Sequence, residues 1–385
     1  MLISIYIKNF KSILEDEITL PRYGAVVGLN AAGKTNLIQA IALMKNLVNG
    51  EDIEEALEKI TLTRRELFNY HNHLSNGTTL KLKVQNGDEF CYSLEININI
   101  KNDLLGLPKA YITYEQLSRE KDDNTEVIYS RSENNLIKGS GEPIPLDVDD
   151  SKLAVNLYKE NDAQAFKSII SKLFITETDV MNLRDSIVNQ EQEGLASLLI
   201  RIRHKEDQSD YQLFQRIIKK LLPSFSSVVE MSASRANDPV TEKSDEKKLY
   251  VVLLEEKNLK GTLSMQSISA GDLKTLYLIA NVVNLKPGST FITEEIENGL
   301  HPKRIKDVLD HLDQIARQKN IQLLFTTHSP AIINTLRASE VLWARKEEDM
   351  GSRYSLLSES RHVTMIEKLL KEGGQLTDLI NLEVQ

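Results

Sequence analysis

The run RYGAVVGLNAAGKTNLI, Arg22 to Ile38, decides the fold. An apolar approach strand is followed by Gly28, four further residues, and then Gly33, Lys34 and Thr35, which is the full Walker A spacing. In that arrangement successive backbone N–H groups wrap phosphates, the lysine reaches the outer phosphates and the Thr35 hydroxyl ligates Mg2+. The helix opening at Lys34 adds the field of its N-terminus to the anion cradle. A plain glycine-rich turn can also follow a strand. Such a turn has no reason to fix two glycines, a lysine and a threonine together, so the run is read as a nucleotide loop.

Length and composition bound the rest. With 385 residues the chain can build one large domain or two moderate ones, and 41% hydrophobic with 27% charged residues suits a globular protein. No uninterrupted apolar stretch is long enough to span a bilayer, and the opening MLISIYIKNF starts a strand rather than a secretory leader, so no membrane partner and a cytoplasmic location are expected. The single cysteine, Cys91, excludes an intrachain disulfide framework and reads as an ordinary strand residue. A net charge of −9 weighs against a uniformly basic surface but leaves room for a local basic channel.

Along the chain, Leu2, Ile3, Ile5 and Ile7 begin an alternating strand and Ile13 to Leu20 a second. After the nucleotide loop, apolar residues from Leu37 to Leu47 recur at helical spacing. Thr79 to Val84 and Phe90 to Ile100 alternate about the turn Asn86-Gly87-Asp88, which predicts a hairpin. Tyr111 to Leu117 and Glu126 to Tyr129 read as further strands separated by a charged loop, Arg119 to Asn124. From Ser151 to Leu222 the texture becomes helical, ending at Pro223, without enough heptads for a long coiled coil. Arg201, Arg203, His204 and Lys205, with Arg216, Lys219 and Lys220 nearby, form a basic cluster there. A solvated helix face explains such a cluster, and so does contact with nucleic acid. Ala233 to Lys248 is polar and is expected to be a loop.

The second half returns to chemistry. Ser269 and Gly271 stand at the start of an apolar helix, where a hydroxyl and N–H groups can face phosphate; a plain N-cap accounts for Ser269 equally well. Thr290 to Thr293 is a short apolar strand ending in Glu294 and Glu295. Downstream of a nucleotide loop, such a pair suits a metal-side carboxylate, Glu294, and a general base for the attacking water, Glu295. Ile321 to Phe325 is another apolar strand, and His328 follows it, where carboxyl ends of strands line the ligand crevice of an open α/β sheet. His328 can bond an outer phosphate or orient water, or simply cap a turn. Trp343 reads as core.

Together GLNAAGKTN (Gly28 to Asn36), SISAGD (Ser267 to Asp272), FITEEIENGLHP (Phe291 to Pro302) and TTHSP (Thr326 to Pro330) resemble the ABC-type ATPase heads of the SMC and RecF group. The pattern is most similar to compact prokaryotic AAA family ATPases related to the OLD nucleases. The resemblance implies an α/β P-loop NTPase head with an antiparallel β lobe and an inserted helical subdomain. Its parts would be 1–150 with Walker A and the lobe, 151–225 as a helical arm, and 226–385 with the remaining motifs. It implies ATP and Mg2+ as cofactors, with Gly28, Asn30, Gly33, Lys34, Thr35, Asn36, Ser269 and Gly271 on nucleotide, Thr35 and Glu294 on the metal, and Lys34, Glu295 and His328 in catalysis. Ser269 and Gly271 map to the signature, Glu294 and Glu295 to Walker B, and His328 to the switch histidine. Glu294 stands where many such heads have aspartate, and Ala270 and Asp272 replace the usual second glycine and glutamine.

A head-to-tail homodimer or higher oligomer is implied, with Ser269 of one copy closing over nucleotide on Lys34 of the other. No run of strand-end acids follows Trp343, so the nuclease half of an OLD protein is expected to be absent. The chain is then similar to stand-alone ATPases that look like the ATP-driven subunits of two-gene phage-defence or abortive-infection systems, which implies a separate nuclease or toxin as partner. An ATPase controlling a DNA-linked effector is the leading expectation. A nucleotide-binding scaffold with little turnover, and a repair ATPase touching DNA through its helical arm, are the rivals. A transporter motor and a protein kinase fit the motifs poorly.

Overall fold

Alternation of buried and exposed side chains makes β1 (Leu2–Phe10) and β2 (Ile13–Thr19) a hairpin, with Ile5, Ile7, Phe10, Ile13 and Ile18 inward. They open a computed structural model that describes residues 1–60, 77–87, 90–102, 108–122, 124–132, 135–144, 147–176, 182–184, 187–188, 194–233, 249–257, 261–359 and 374–378. β3 (Tyr23–Val27) leads through the glycine-rich loop into α1 (Lys34–Val48), and α2 (Ile53–Glu58) follows behind an Asp52 cap. Leu37, Ile38, Ile41, Met44 and Leu47 of α1 are all buried, each worth about 1.5–3 kcal/mol of transfer free energy.

Then come β4 (Thr78–Asn86), β5 (Phe90–Asn102), β6 (Pro108–Lys121), β7 (Asn124–Ser132) and β8 (Asn135–Lys138), paired antiparallel in sequence. The expected charged loop from Arg119 to Asn124 is instead mostly strand. The ladder runs on through Arg119, which pairs with Tyr92 of β5 and Glu126 of β7, and its guanidinium meets Glu126 at 2.6 Å and Asp162 at 3.1 Å. Helical spacing from Leu153 to Leu157 resolves into a single 3-10 turn, Ala154–Asn156. A buried polar pin holds that turn: the Glu115 carboxylate accepts from the Tyr129 hydroxyl and from the N–H groups of Ala154 and Val155. Arg131, also buried, donates to the carbonyls of Val148, Asp149 and Lys152. Burial pushes the Glu115 carboxyl up, against those donors. α3 (Asn161–Ile170) and β9 (Leu173–Thr176) complete the N-terminal portion.

The chain then supplies β10 (Ile187–Val188), α4 (Leu195–Arg203), α5 (Ser209–Leu221), β11 (Phe225–Ala233), β12 (Leu249–Glu256), β13 (Thr262–Ser264) and α6 (Ala270–Asn284). After β14 (Thr290–Thr293) come α7 (Pro302–Lys319), β15 (Gln322–Thr327), α8 (Pro330–Ile333), β16 (Val341–Glu347) and β17 (Gly351–Leu356). The polar run 234–248 and the apolar run Met365 to Leu370 lie outside the described residues.

Two compact units result: residues 1–176, 288–294 and 320–385, and residues 177–287 with 295–319. The first contains a 13-stranded sheet in the order β8-β7-β6-β5-β4-β1-β2-β17-β16-β3-β15-β14-β9. Its β16, β3, β15, β14 and β9 run parallel, and an antiparallel wing extends from them. Gln322, nearly fully buried, joins distant strands: its side chain exchanges hydrogen bonds with both backbone groups of Leu2 and donates to the Pro21 carbonyl. In the second unit a small antiparallel sheet, β10-β12-β11 with β13, accompanies α4 to α7.

This partition differs from the division at 150 and 225 that the sequence suggests. Residues up to Thr176 belong to the large-sheet unit because β9 pairs in register with β14. α4 and α5 belong to the second unit, where α4 packs on α6 and α5 on α6 and α7.

Candidate functional site

The first unit gathers the loop after β3, the end of β14 and the end of β15 at the carboxyl ends of adjacent parallel strands. Each glycine of the loop has its own steric cause. A Cβ on Gly28 would stand 2.2 Å from the Ala344 carbonyl oxygen of β16, so only glycine lets the two backbones approach this closely. Gly33 sits at φ +103, and a Cβ there would meet Ser352 Oγ at 2.4 Å and Tyr354 Oη at 2.7 Å. α1 starts with no side-chain cap and no acid in its first turn, which leaves its N-terminal N–H groups and positive field for an anion.

Lys34 curls back over the loop, its ammonium donating to the carbonyls of Gly28 at 2.7 Å and Leu29 at 2.9 Å. The Thr35 hydroxyl donates to Glu294 Oε2 at 2.8 Å, bringing together two residues 259 positions apart. A hydroxyl and a carboxylate at that separation are hard oxygen donors of the kind that hold Mg2+ along with phosphates and water. His328 follows β15 and lines a cavity of about 460 Å3 together with Gly28, Leu29, Asn30, Ile333 and Thr377. Asn36 is placed differently from the others: its side-chain amide donates to Ser12 Oγ at 2.6 Å.

Several supporting residues carried no sequence signal. The Tyr354 hydroxyl, on β17, donates to the Gly33 carbonyl at 2.6 Å, and burial raises its pKa far above the ordinary phenol value. Ser352, Ser12 and the Asn36 amide form a short chain behind α1, with 2.6 Å between the two hydroxyls. These contacts tie the loop and the start of α1 to β17 and to the β1–β2 turn. A tyrosine in the middle of a C-terminal strand has no local pattern that would reveal this role.

The remaining candidates lie in the second unit. Ser269 is the N-cap of α6, its hydroxyl accepting from the Asp272 N–H at 3.1 Å. A Cβ on Gly271 would approach the Gly299 carbonyl to 2.9 Å, so a bare backbone lets the start of α6 lie against the loop before α7. Asp272, at the position of the usual glutamine, forms an ion pair with Arg304. Arg184 donates to the carbonyls of Gln266 at 2.6 Å and Ile268 at 3.3 Å, tying down the approach to Ser269. Glu295 is exposed and adopts φ +42, a left-handed conformation that a non-glycine residue holds only at some cost.

Lys274 of α6 is fully buried, and its ammonium has no hydrogen-bond partner among the described residues. Burial lowers its pKa to about 8, while the Glu297 and Glu295 carboxylates oppose that shift. Between pH 8 and the ordinary lysine value of 10.5 the folded unit therefore binds fewer protons than the unfolded chain, and stability rises with pH. Below pH 8 the cost of the buried charge is fully present. Lys274→Met is expected to stabilise the protein near neutral pH by about 1–4 kcal/mol and to flatten that alkaline rise. Denaturant titrations at neutral and alkaline pH check it. A less stable variant would show that the two carboxylates hold the charge favourably.

A loop of this form between a parallel strand and a helix, with a strand-end carboxylate on its threonine, defines a P-loop nucleotide-binding head of the ABC type. The profile described as "AAA domain, putative AbiEii toxin, Type IV TA system" matches residues 25–334, and the chain belongs to that family. An SMC head solved with the C-terminal winged-helix domain of ScpA superposes with a TM-score of 0.52 at 12% identity, covering 94% of this chain and 99% of that one. The SMC head with an extended coiled coil, bound to the C-terminal domain of ScpA from Pyrococcus furiosus, gives 0.49 at 12% identity, covering 96% and 99%. The first likeness establishes the fold. No curated protein matches the chain. Among the described residues no helix is long and apolar enough to cross a membrane.

Proposed function

We propose that this chain binds ATP and hydrolyses it with Mg2+, and that nucleotide-dependent pairing of two copies controls a separate effector. The observation that carries the reading is the 2.8 Å hydrogen bond from Thr35 to Glu294, which sets the loop hydroxyl and the strand-end carboxylate on one another. Those two side chains would hold Mg2+, which when bound neutralises charge on the outer phosphates. Lys34 would exchange one of its loop carbonyls for a phosphate oxygen. Glu295, next in the chain after Glu294, would take the proton of the attacking water, and His328 would orient that water or the outer phosphate from the end of β15. Ser269 and Gly271 would close over the nucleotide of a second copy.

The family description names a type IV toxin–antitoxin system, which supports a place in such a two-component system; the phage-defence setting and a nuclease effector rest on the motif resemblance alone. Steady-state phosphate release from ATP, with and without Mg2+, tests the enzymatic part. Mg2+-dependent release together with a larger species on gel filtration in a non-hydrolysable analogue is the expected result. Binding without release would reduce the protein to a nucleotide-gated scaffold.

A further inference from the structure

We propose that Asn334, through the segment 374–378, positions His328 for the outer phosphate of the nucleotide and so sets the preference for ATP over ADP. That role rests on the nucleotide reading above and adds residues that none of the loop, strand-end or histidine motifs contains. The cavity of about 460 Å3 lies at one end of the nucleotide loop: Gly28, Leu29 and Asn30 line it with His328, whereas Gly33, Lys34 and Thr35, where α1 begins, do not. In such loops the backbone N–H groups and the helix N-terminus hold the inner phosphates, and the threonine hydroxyl holds the metal. The space past Asn30 and beside His328 is then where an outer phosphate extends, and a diphosphate ends short of it. Thr377 lines the same cavity from far along the chain.

His328 is carried on a short piece of chain. Next to it, the Ser329 carbonyl accepts from the N–H groups of Ile332 at 3.0 Å and Ile333 at 3.1 Å to start α8, and Asn334 ends that helix. Four residues make barely one turn, too few to hold their shape alone. α8 therefore keeps its place through the burial of Ile332 and Ile333 and through whatever grips its ends.

At the far end the grip is the Asn334 side chain. Its amide donates to Gln375 Oε1 at 2.8 Å, and its oxygen accepts from the Thr377 N–H at 3.2 Å and the Thr377 hydroxyl at 3.1 Å. The Thr377 N–H can only donate, which fixes the way the Asn334 amide faces. The segment that receives these bonds is itself a closed turn. The Gln375 N–H donates to the Asp378 carboxylate at 2.8 Å, the Asp378 N–H donates to the Gln375 carbonyl at 3.0 Å, and Leu376 between them is buried. One side chain thus joins a firm turn to the helix that starts two residues after His328.

Asn334 and Thr377 are positioning residues. Asn334 does not line the cavity, and the Thr377 hydroxyl gives its proton to Asn334, so it has no donor left for a phosphate oxygen. Both act through α8 on His328, whose imidazole can present an N–H to the outer phosphate. Hydrogen bonds weaken steeply with small losses of distance and angle, so a slight drift of α8 is enough to release that contact. The inner phosphates, held at the other end of the loop, do not feel it.

Titration calorimetry of the full chain with Mg2+ and either a non-hydrolysable ATP analogue or ADP tests the proposal. Asn334→Ala is expected to weaken the analogue by about tenfold, the worth of one hydrogen bond to a charged group, and to leave ADP within about twofold of wild type. ADP affinity doubles as the check that the variant is folded. Asn334→Asp should restore most of the loss, because a carboxylate still accepts from both Thr377 donors and Gln375 can turn its own amide N–H toward it. His328→Ala should lose the analogue selectively as well, and adding Asn334→Ala to it should cost nothing more, since both act on one contact. Equal loss of ADP and analogue would reduce Asn334 to a structural residue; an unchanged ratio, or losses that multiply in the double variant, would also overturn the proposal. A wild type that binds neither nucleotide would remove the nucleotide reading along with it, whereas binding with an unchanged ratio removes this role alone.

Discussion

Glu295→Gln is expected to lower steady-state phosphate release by at least about 100-fold while ATP affinity stays within a few fold of wild type, the signature of losing a general base. The substitution keeps size and polarity and removes only the capacity to accept a proton. The backbone supplies an independent reason to single the residue out. Glu295 holds φ +42 immediately after a fully buried strand, and strain of that kind persists where the surrounding structure enforces it for use. The two carboxylates also differ in what they touch: Glu294 accepts from Thr35, and Glu295 is exposed. Because binding survives in the variant, pairing of two copies in ATP should survive too and become longer-lived. Unchanged turnover would place the base elsewhere and remove Glu295 from the mechanism.

Lys34→Ala is expected to abolish both ATP binding and turnover, measurable as at least about a hundredfold weaker affinity for a fluorescent ATP analogue. Two losses combine. The ammonium that would meet the outer phosphates is gone, and so are its bonds to the Gly28 and Leu29 carbonyls, which brace the loop in the absence of nucleotide. Lys34→Arg separates them. It keeps the charge but presents a wider planar fork in a loop whose Gly28 already lies against Ala344, so it should restore the brace only in part. Retained affinity in the alanine variant would show that backbone N–H groups alone hold the phosphates.

The parts of this molecule that were legible in its sequence are those whose chemistry is local. The Gly28 to Thr35 run lies between one strand and one helix, and its spacing is a property of consecutive residues. The positions of Glu294 and His328 after strand ends were legible because each follows an apolar run, and a parallel sheet brings such ends to one edge. The family match and the mixed α/β head follow the same logic. Tyr354, Ser352 and Arg184 were invisible for the opposite reason: Tyr354 and Arg184 act on backbone carbonyls and Ser352 on the Ser12 hydroxyl, all tens or hundreds of residues away, and nothing around them in the chain differs from an ordinary strand or turn residue. The basic residues show the same limit. Consecutive cations from Arg201 to Lys205 attract notice although the fold uses Arg203 and Lys205 internally, while Lys220 and Lys303 become neighbours only once α5 packs on α7.

The strand order also sets a timetable for synthesis. β3, which carries the nucleotide loop, is flanked by β15 and β16, with Tyr23 opposite Leu323 and Ala25 opposite Val341. Until a ribosome has made those strands, the loop has neither neighbour, and the brace from Tyr354 comes later still. Pairings of such long sequence separation form slowly and leave strand edges open in the meantime. A nascent chain of this protein therefore lacks the loop's flanking strands until β15 and β16 have been made. Any chain cut short before β17 would be produced without the Tyr354 brace on the loop.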